Sequence, residues 1–246
     1  MKKLLGFLMG ALLAHGAASA AEISVLSGGA IEPGLKAAAA AFQKETGHVV
    51  KITFNTTPQI TKRITAGDTF DVIIAPPATI ETFAKDGKVT GERVNVGRVG
   101  LGVAVRPGAP VPDISSGETV RRAVLDAESV VFNRASTGIY FENLLKKWGI
   151  YEQIEPKTTR YPDGASVMKH VLHGKGREIG VGPITEILLE KEKGLRLVGP
   201  LPADIQNYTS YTATLMTSGS NAEAARSFVR YLGCAGKPLF VAAGIE

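Results

Sequence analysis

Five short segments carry the residues that could do chemistry in this chain. They are Ser27-Gly28-Gly29, Asn55-Thr56-Thr57, Ala75-Pro76-Pro77, Ser136-Thr137-Gly138 and Asp163-Gly164-Ala165-Ser166. All five follow strands and precede a stretch with helical periodicity. A helix N-terminus presents free N–H groups and a partial positive charge, so it holds an anion without needing a full cation. Ser and Thr hydroxyls add donors. Any one segment reads as ordinary helix capping, because Ser, Thr and Asp are preferred caps anywhere. Five at strand-to-helix junctions point to one anion site. No residue stands out as a catalytic base. Asp163 could serve but reads as a cap. His170 and His173 lie three apart on one helix and read as solvated, and His48 sits in a loop.

The elements that would position these segments can be read from the spacing. Strands are expected at Glu22–Leu26, Val49–Phe54 and Asp71–Ile74. Helices follow from Pro33, from about Pro58 to Ala66, and from Ala78 to Lys85. The first helix has one apolar stripe at Leu35, Ala38, Ala39 and Phe42, and Gly47 is its expected stop. This alternation predicts a parallel sheet with helices on its faces. A second α/β unit follows. It has strands at Gly100–Arg106, Ser129–Phe132, Ile179–Val181 and Leu195–Val198, and helices at Thr119–Leu125, around Phe141–Trp148, at Gly164–Leu172 and at Ile184–Lys191. A late strand, Tyr211–Thr217, and a helix with the stripe Ala225, Phe228, Val229 and Leu232 close the chain. Residues 21–97 with 208–246 are expected to form one lobe and 98–207 the other. Ligands favour such interfaces and the carboxyl ends of parallel strands.

Composition bounds the function classes. The chain has 246 residues, 44% hydrophobic and 21% charged, as a folded globular protein would. One cysteine, Cys234, excludes an internal disulfide and multi-cysteine metal centres. Phosphate-loop, nucleophile-elbow and His-Glu-x-x-His motifs are absent. Lys2 and Lys3, the apolar run Leu4–Ala14 and Ala18-Ser19-Ala20 read as a signal peptide over residues 1–20, which places the mature protein in the periplasm. The run is too short for a membrane span, which needs about 20 apolar residues. Without Lys2 and Lys3 the formal charge falls from +5 to +3, a solvated surface rather than a nucleic-acid footprint.

Several motifs in order resemble periplasmic molybdate-binding proteins of ABC transporters, which have the type II periplasmic binding-protein fold. They are the Ser27 strand end, Thr46-Gly47-His48, Ile64…Gly67-Asp68…Asp71-Val72-Ile73-Ile74-Ala75, Asn133…Gly138-Ile139-Tyr140, Trp148-Gly149-Ile150 and Ala222-Glu223-Ala224-Ala225-Arg226-Ser227-Phe228. The resemblance implies two Rossmann-like lobes joined by hinge strands and closing on a ligand. It places ligand contacts at Ser27 with Gly28, at Thr56 or Thr57, at Ala75, and near Ala165 and Ser166; Ser136 belongs to the same set of junctions. Where that family has a Tyr after a strand, this chain has Gly182-Pro183. Arg134 adds a cation beside the second-lobe loop. A guanidinium fork suits a carboxylate, so a di- or tricarboxylate is expected to bind more tightly than molybdate. Ser27-Gly28-Gly29 and Pro112-Asp113-Ile114-Ser115 are also similar to periplasmic aconitate isomerases, enzymes on the same fold, whose proton shift needs a general base. The expectation is a monomeric periplasmic receptor for a small anionic ligand, an oxyanion or a carboxylate, that partners an ABC permease. It needs no cofactor, metal or nucleic acid. The alternatives are a tricarboxylate isomerase and a sensor subunit that binds the same ligand.

Overall fold

The structure is a computed structural model that describes residues 20–246. The expected signal peptide therefore lies outside the described residues except for Ala20.

The first stretch alternates as its apolar spacing dictates: β1 (Glu22–Gly28), α1 (Glu32–Thr46), β2 (Val49–Asn55), α2 (Thr57–Thr65), β3 (Val72–Ala75) and α3 (Pro77–Lys85). Gly47 closes α1 in the left-handed conformation, as a C-terminal glycine should. β1 runs parallel between β2 and β3. β3 is buried along its whole length, as a strand covered on both faces must be.

The chain then passes through β4 (Val89–Val105), a strand of 17 residues. The sequence predicted only its last part. Gly-Glu-Arg in the first part interrupts the alternation, the pairing register shifts twice there, and Gly97 has φ +148°, outside ordinary strand geometry. The second stretch comprises α4 (Gly117–Asp126), β5 (Ser129–Asn133), α5 (Ser136–Lys147), α6 (Tyr151–Ile154), β6 (Thr158–Tyr161), α7 (Gly164–His173), β7 (Glu178–Pro183), α8 (Ile184–Leu189) and β8 (Arg196–Pro200). β9 (Tyr208–Met216), α9 (Ala222–Gly233) and α10 (Lys237–Ala242) complete the chain. β6 and α6 escaped prediction because each is four residues long and, unlike β3, has no continuous apolar run.

The strand order is β2-β1-β3-β9-β4-β7-β5-β6, with β8 also on β4. The sheet is mixed rather than wholly parallel. In each half three parallel strands are followed by an antiparallel fourth: β9 beside β3, and β4 beside β7. β4 serves both halves, pairing with β9 through Gly100 and with β7 and β8 from Leu101 onward.

Each half packs an apolar layer on both sheet faces. Phe42, Phe228, Leu35 and Phe240 lie on one face of the first half, and Ile60, Ile73, Ile80 and Phe83 on the other. Phe132, Phe141, Leu145 and Ile154 form the main core of the second half, with Met168 and Val171 opposite. Burying one such side chain contributes about 1.5–3 kcal/mol. Asp71 pins the first half. Its carboxylate accepts from Ser24 N and Oγ, and from Ser220 and Asn221 N. Burial opposes its charge, but the hydrogen bonds from Ser24, Asn221 and Ser220 outweigh it and hold the carboxyl below its ordinary range.

Candidate functional site

Four of the five junctions meet in a cavity of about 180 Å³ between the two halves; Ala75-Pro76-Pro77 does not reach it. The start of α2 brings Asn55, Thr56, Thr57 and Gln59. Gln59 Oε1 accepts the Thr56 N–H at 2.8 Å, half of a capping box that fixes the entry to the helix. The loop after β5 brings Asn133, Ala135, Ser136 and Thr137. Asn133 Oδ1 accepts from Ala135 N and Gly138 N, and its Nδ2 donates to Thr137 Oγ1 at 2.8 Å, so the start of α5 is fixed from within. The start of α7 brings Asp163, Gly164 and Ala165. Asp163 Oδ1 accepts the Ser166 N–H at 2.8 Å and caps the helix. Opposite walls nearly touch where Ser136 Oγ stands 3.4 Å from Thr57 Oγ1.

Of the residues the sequence singled out, Gly28, Thr56, Thr57, Ser136, Ala165 and Pro183 line the cavity. Four do not. Ser27 is wholly buried and donates to the Gly28 carbonyl, because alternation along β1 turns it away from the cleft. Ala75 is buried in the core under α2 and α3. Ser166 lies one step past the capped turn, where its N–H is already committed to Asp163. Arg134 is exposed, and its backbone N–H binds the Tyr161 carbonyl. The cation expected to favour carboxylates therefore does not line the cleft. Among the described residues no lysine or arginine does.

Sequence reasoning missed Glu186 and Tyr211, which line the cavity from α8 and β9. The Tyr211 ring packs on Gly28. A β-carbon on Gly164 would stand 1.7 Å from Glu186 Oε2, so only glycine leaves room for that carboxyl over the start of α7. Glu186 Oε2 is buried with no hydrogen-bond donor. Burial, with the charges of Asp163 and Glu32 added, pushes the Glu186 carboxyl up to about 8. Burial, and then Glu186 itself, push the Tyr211 phenol up as well. No motif signals Glu186, since Ile-Thr-Glu-Ile reads as one ordinary helical turn. Among the described residues no histidine lines the cavity: His170 Nδ1 is 2.9 Å from Tyr161 Oη, and His48 accepts from Ala21 N.

A larger hollow, about 270 Å³, lies between the Ala109–Asp113 loop and α4. None of the strand-end segments reaches it.

A family model described as bacterial extracellular solute-binding protein matches residues 23–246. An aconitate isomerase of a Pseudomonas species is 27% identical over 217 residues, covering 85% of this chain and 81% of the relative. The molybdate-binding protein ModA of Azotobacter vinelandii is 28% identical over 233 residues, covering 91% and 89%. The solved periplasmic molybdate-binding protein of Azotobacter vinelandii superposes with a TM-score of 0.75 at 17% identity, covering 91% of this chain and 98% of that one. This likeness gives the fold: two α/β lobes of the type II periplasmic binding-protein kind.

Proposed function

The chain belongs to the bacterial extracellular solute-binding protein family, and from that premise we propose that it is a periplasmic receptor that delivers a small anion to an ABC permease. The observation that carries this reading is the meeting of neutral donors from both halves at one cleft, Thr57 on one wall and Ser136 on the other. Hydroxyls and the N–H groups at the starts of α2, α5 and α7 would bind an oxyanion or a small carboxylate without a cation. Residues 21–97 with 208–246 would form one lobe and 98–207 the other, closing over the ligand by bending at the strands they share. A thermal-shift panel of molybdate, tungstate, sulfate, phosphate, citrate and both aconitate isomers tests the reading. A true ligand at 100 times its dissociation constant adds about 2.7 kcal/mol of stability. No shift with any of them would refute the anion class.

A second reading is a periplasmic isomerase of a tricarboxylate. One specific observation favours it: a receptor for anions gains nothing from an unpartnered carboxyl at its cleft, whereas a proton shift needs one. The likeness to an aconitate isomerase supports the same reading. The absorbance change on interconversion of the aconitate isomers separates enzyme from receptor.

A further inference from the structure

Three carboxyls line the cleft, and they are not equivalent. Asp163 is committed to capping α7 through Ser166 N. Glu32 pairs with Lys36 one helical turn along. Glu186 alone has an oxygen, Oε2, that is buried and accepts from nothing. That oxygen rests over Gly164, and Oε1 faces Gly29 on the opposite wall. A buried, unsatisfied carboxyl oxygen in a binding cleft calls for a proton or a ligand to complete it. The remaining titratable group of the wall, Tyr211, is held protonated by burial and by Glu186, so it can donate but not abstract.

We propose, building on the isomerase reading, that Glu186 is the catalytic acid–base residue of this cleft and moves a carbon-bound proton of an unsaturated polycarboxylate held there. In its carboxylate form Glu186 takes a proton from the methylene between the substrate's double bond and a carboxylate. The electron pair of that C–H bond becomes the new C=C bond. The former π pair moves to the far alkene carbon, which takes a proton from the Glu186 carboxylic acid after that acid has exchanged its proton with solvent. One C–H bond breaks and one forms, the double bond moves one position, Glu186 is regenerated, and no oxidant or reductant enters. Thr57 and Ser136 hydroxyls and the N–H groups at the starts of α5 and α7 would hold the charge that develops on the substrate oxygens. Asp163 from the start of α7, Glu32 from α1 and Tyr211 from β9 are the ionisable groups that share the wall with Glu186. The two acids and burial bring it near the working pH, where a base that must also act as an acid is most effective.

The test is exchange in deuterium oxide, with trans-aconitate as probe and the whole mature protein. Proton NMR should show the methylene signal disappearing while the cis isomer appears. For wild type, kcat/KM should rise with pH toward about 8. Glu186→Gln should bind trans-aconitate within about threefold of wild type by calorimetry yet lose exchange by roughly 100-fold or more. Glu186→Asp keeps the carboxyl, so it should restore part of the rate with a displaced pH profile. If it does, a folding defect in the Gln variant is excluded as the cause. Exchange that persists in Glu186→Gln overturns the assignment and leaves the isomerase reading standing. Binding without exchange in wild type overturns the assignment and the isomerase reading together and leaves the receptor. No binding of trans-aconitate to wild type overturns the polycarboxylate class and the assignment with it.

Discussion

Thr185 Oγ1 donates a buried hydrogen bond of 2.6 Å to the carbonyl of Ala30, joining α8 to the loop after β1. The bond crosses between the halves, one residue before Glu186. It holds the wall that carries Glu186 against the wall that carries Gly29. Removing the donor strands a buried carbonyl, which costs about 1–3 kcal/mol. Thr185→Val keeps the shape and loses the donor. Its melting temperature should fall by about 2–4 °C for each kcal/mol lost. An unchanged melting curve would show that this contact does not hold the walls together.

Asp71 gives a pH-dependent prediction. Its folded carboxyl lies below the ordinary value, so its contribution is present above about pH 4 and is lost as pH falls through the lowered value. Asp71→Asn should destabilise the protein by about 1–3 kcal/mol at pH 7 in urea denaturation. The gap from wild type should close as the medium approaches pH 3. A gap independent of pH would mean that the carboxylate charge does not secure β1 to the segment before α9.

Glu186 behaves in the opposite sense. Its carboxyl is raised to about 8, so the folded state retains a proton that the unfolded chain has already lost. Stability therefore falls as pH rises from about 4.3 toward 8. Glu186→Gln removes this penalty. The variant should melt higher than wild type at pH 8, and the advantage should shrink at pH 5. Equal melting temperatures at both values would place the carboxyl in contact with solvent.

The parts of this molecule governed by local repetition were legible in the sequence. The apolar stripe Leu35, Ala38, Ala39 and Phe42 gave α1 its buried face, and the run Val72-Ile73-Ile74-Ala75 gave a strand buried on both sides. Thr56, Thr57 and Ser136 were legible because a hydroxyl at a strand-to-helix junction has a local signature. Glu186 was not, since its role comes from Gly164, Gly29 and Tyr211, which meet it only through the fold. Arg134 shows the converse. It stands beside the right loop in sequence, yet the backbone directs it to solvent. Arg134→Ala should accordingly leave ligand affinity within about twofold of wild type, because exposed charges contribute little. A tenfold loss by calorimetry would return that residue to the site.

The proposed function requires that one small anion bind between Thr57 and Ser136. Titration calorimetry of wild type and of the Thr57→Val/Ser136→Ala double variant, with the anion that gives the largest thermal shift, tests it most directly. Each hydroxyl contributes about 0.5–1.5 kcal/mol to a neutral hydrogen bond and more to a charged oxygen. The expected result is one site per chain in wild type and an affinity at least about tenfold weaker in the double variant, with the fold intact. Equal affinity in the two proteins would place the ligand elsewhere.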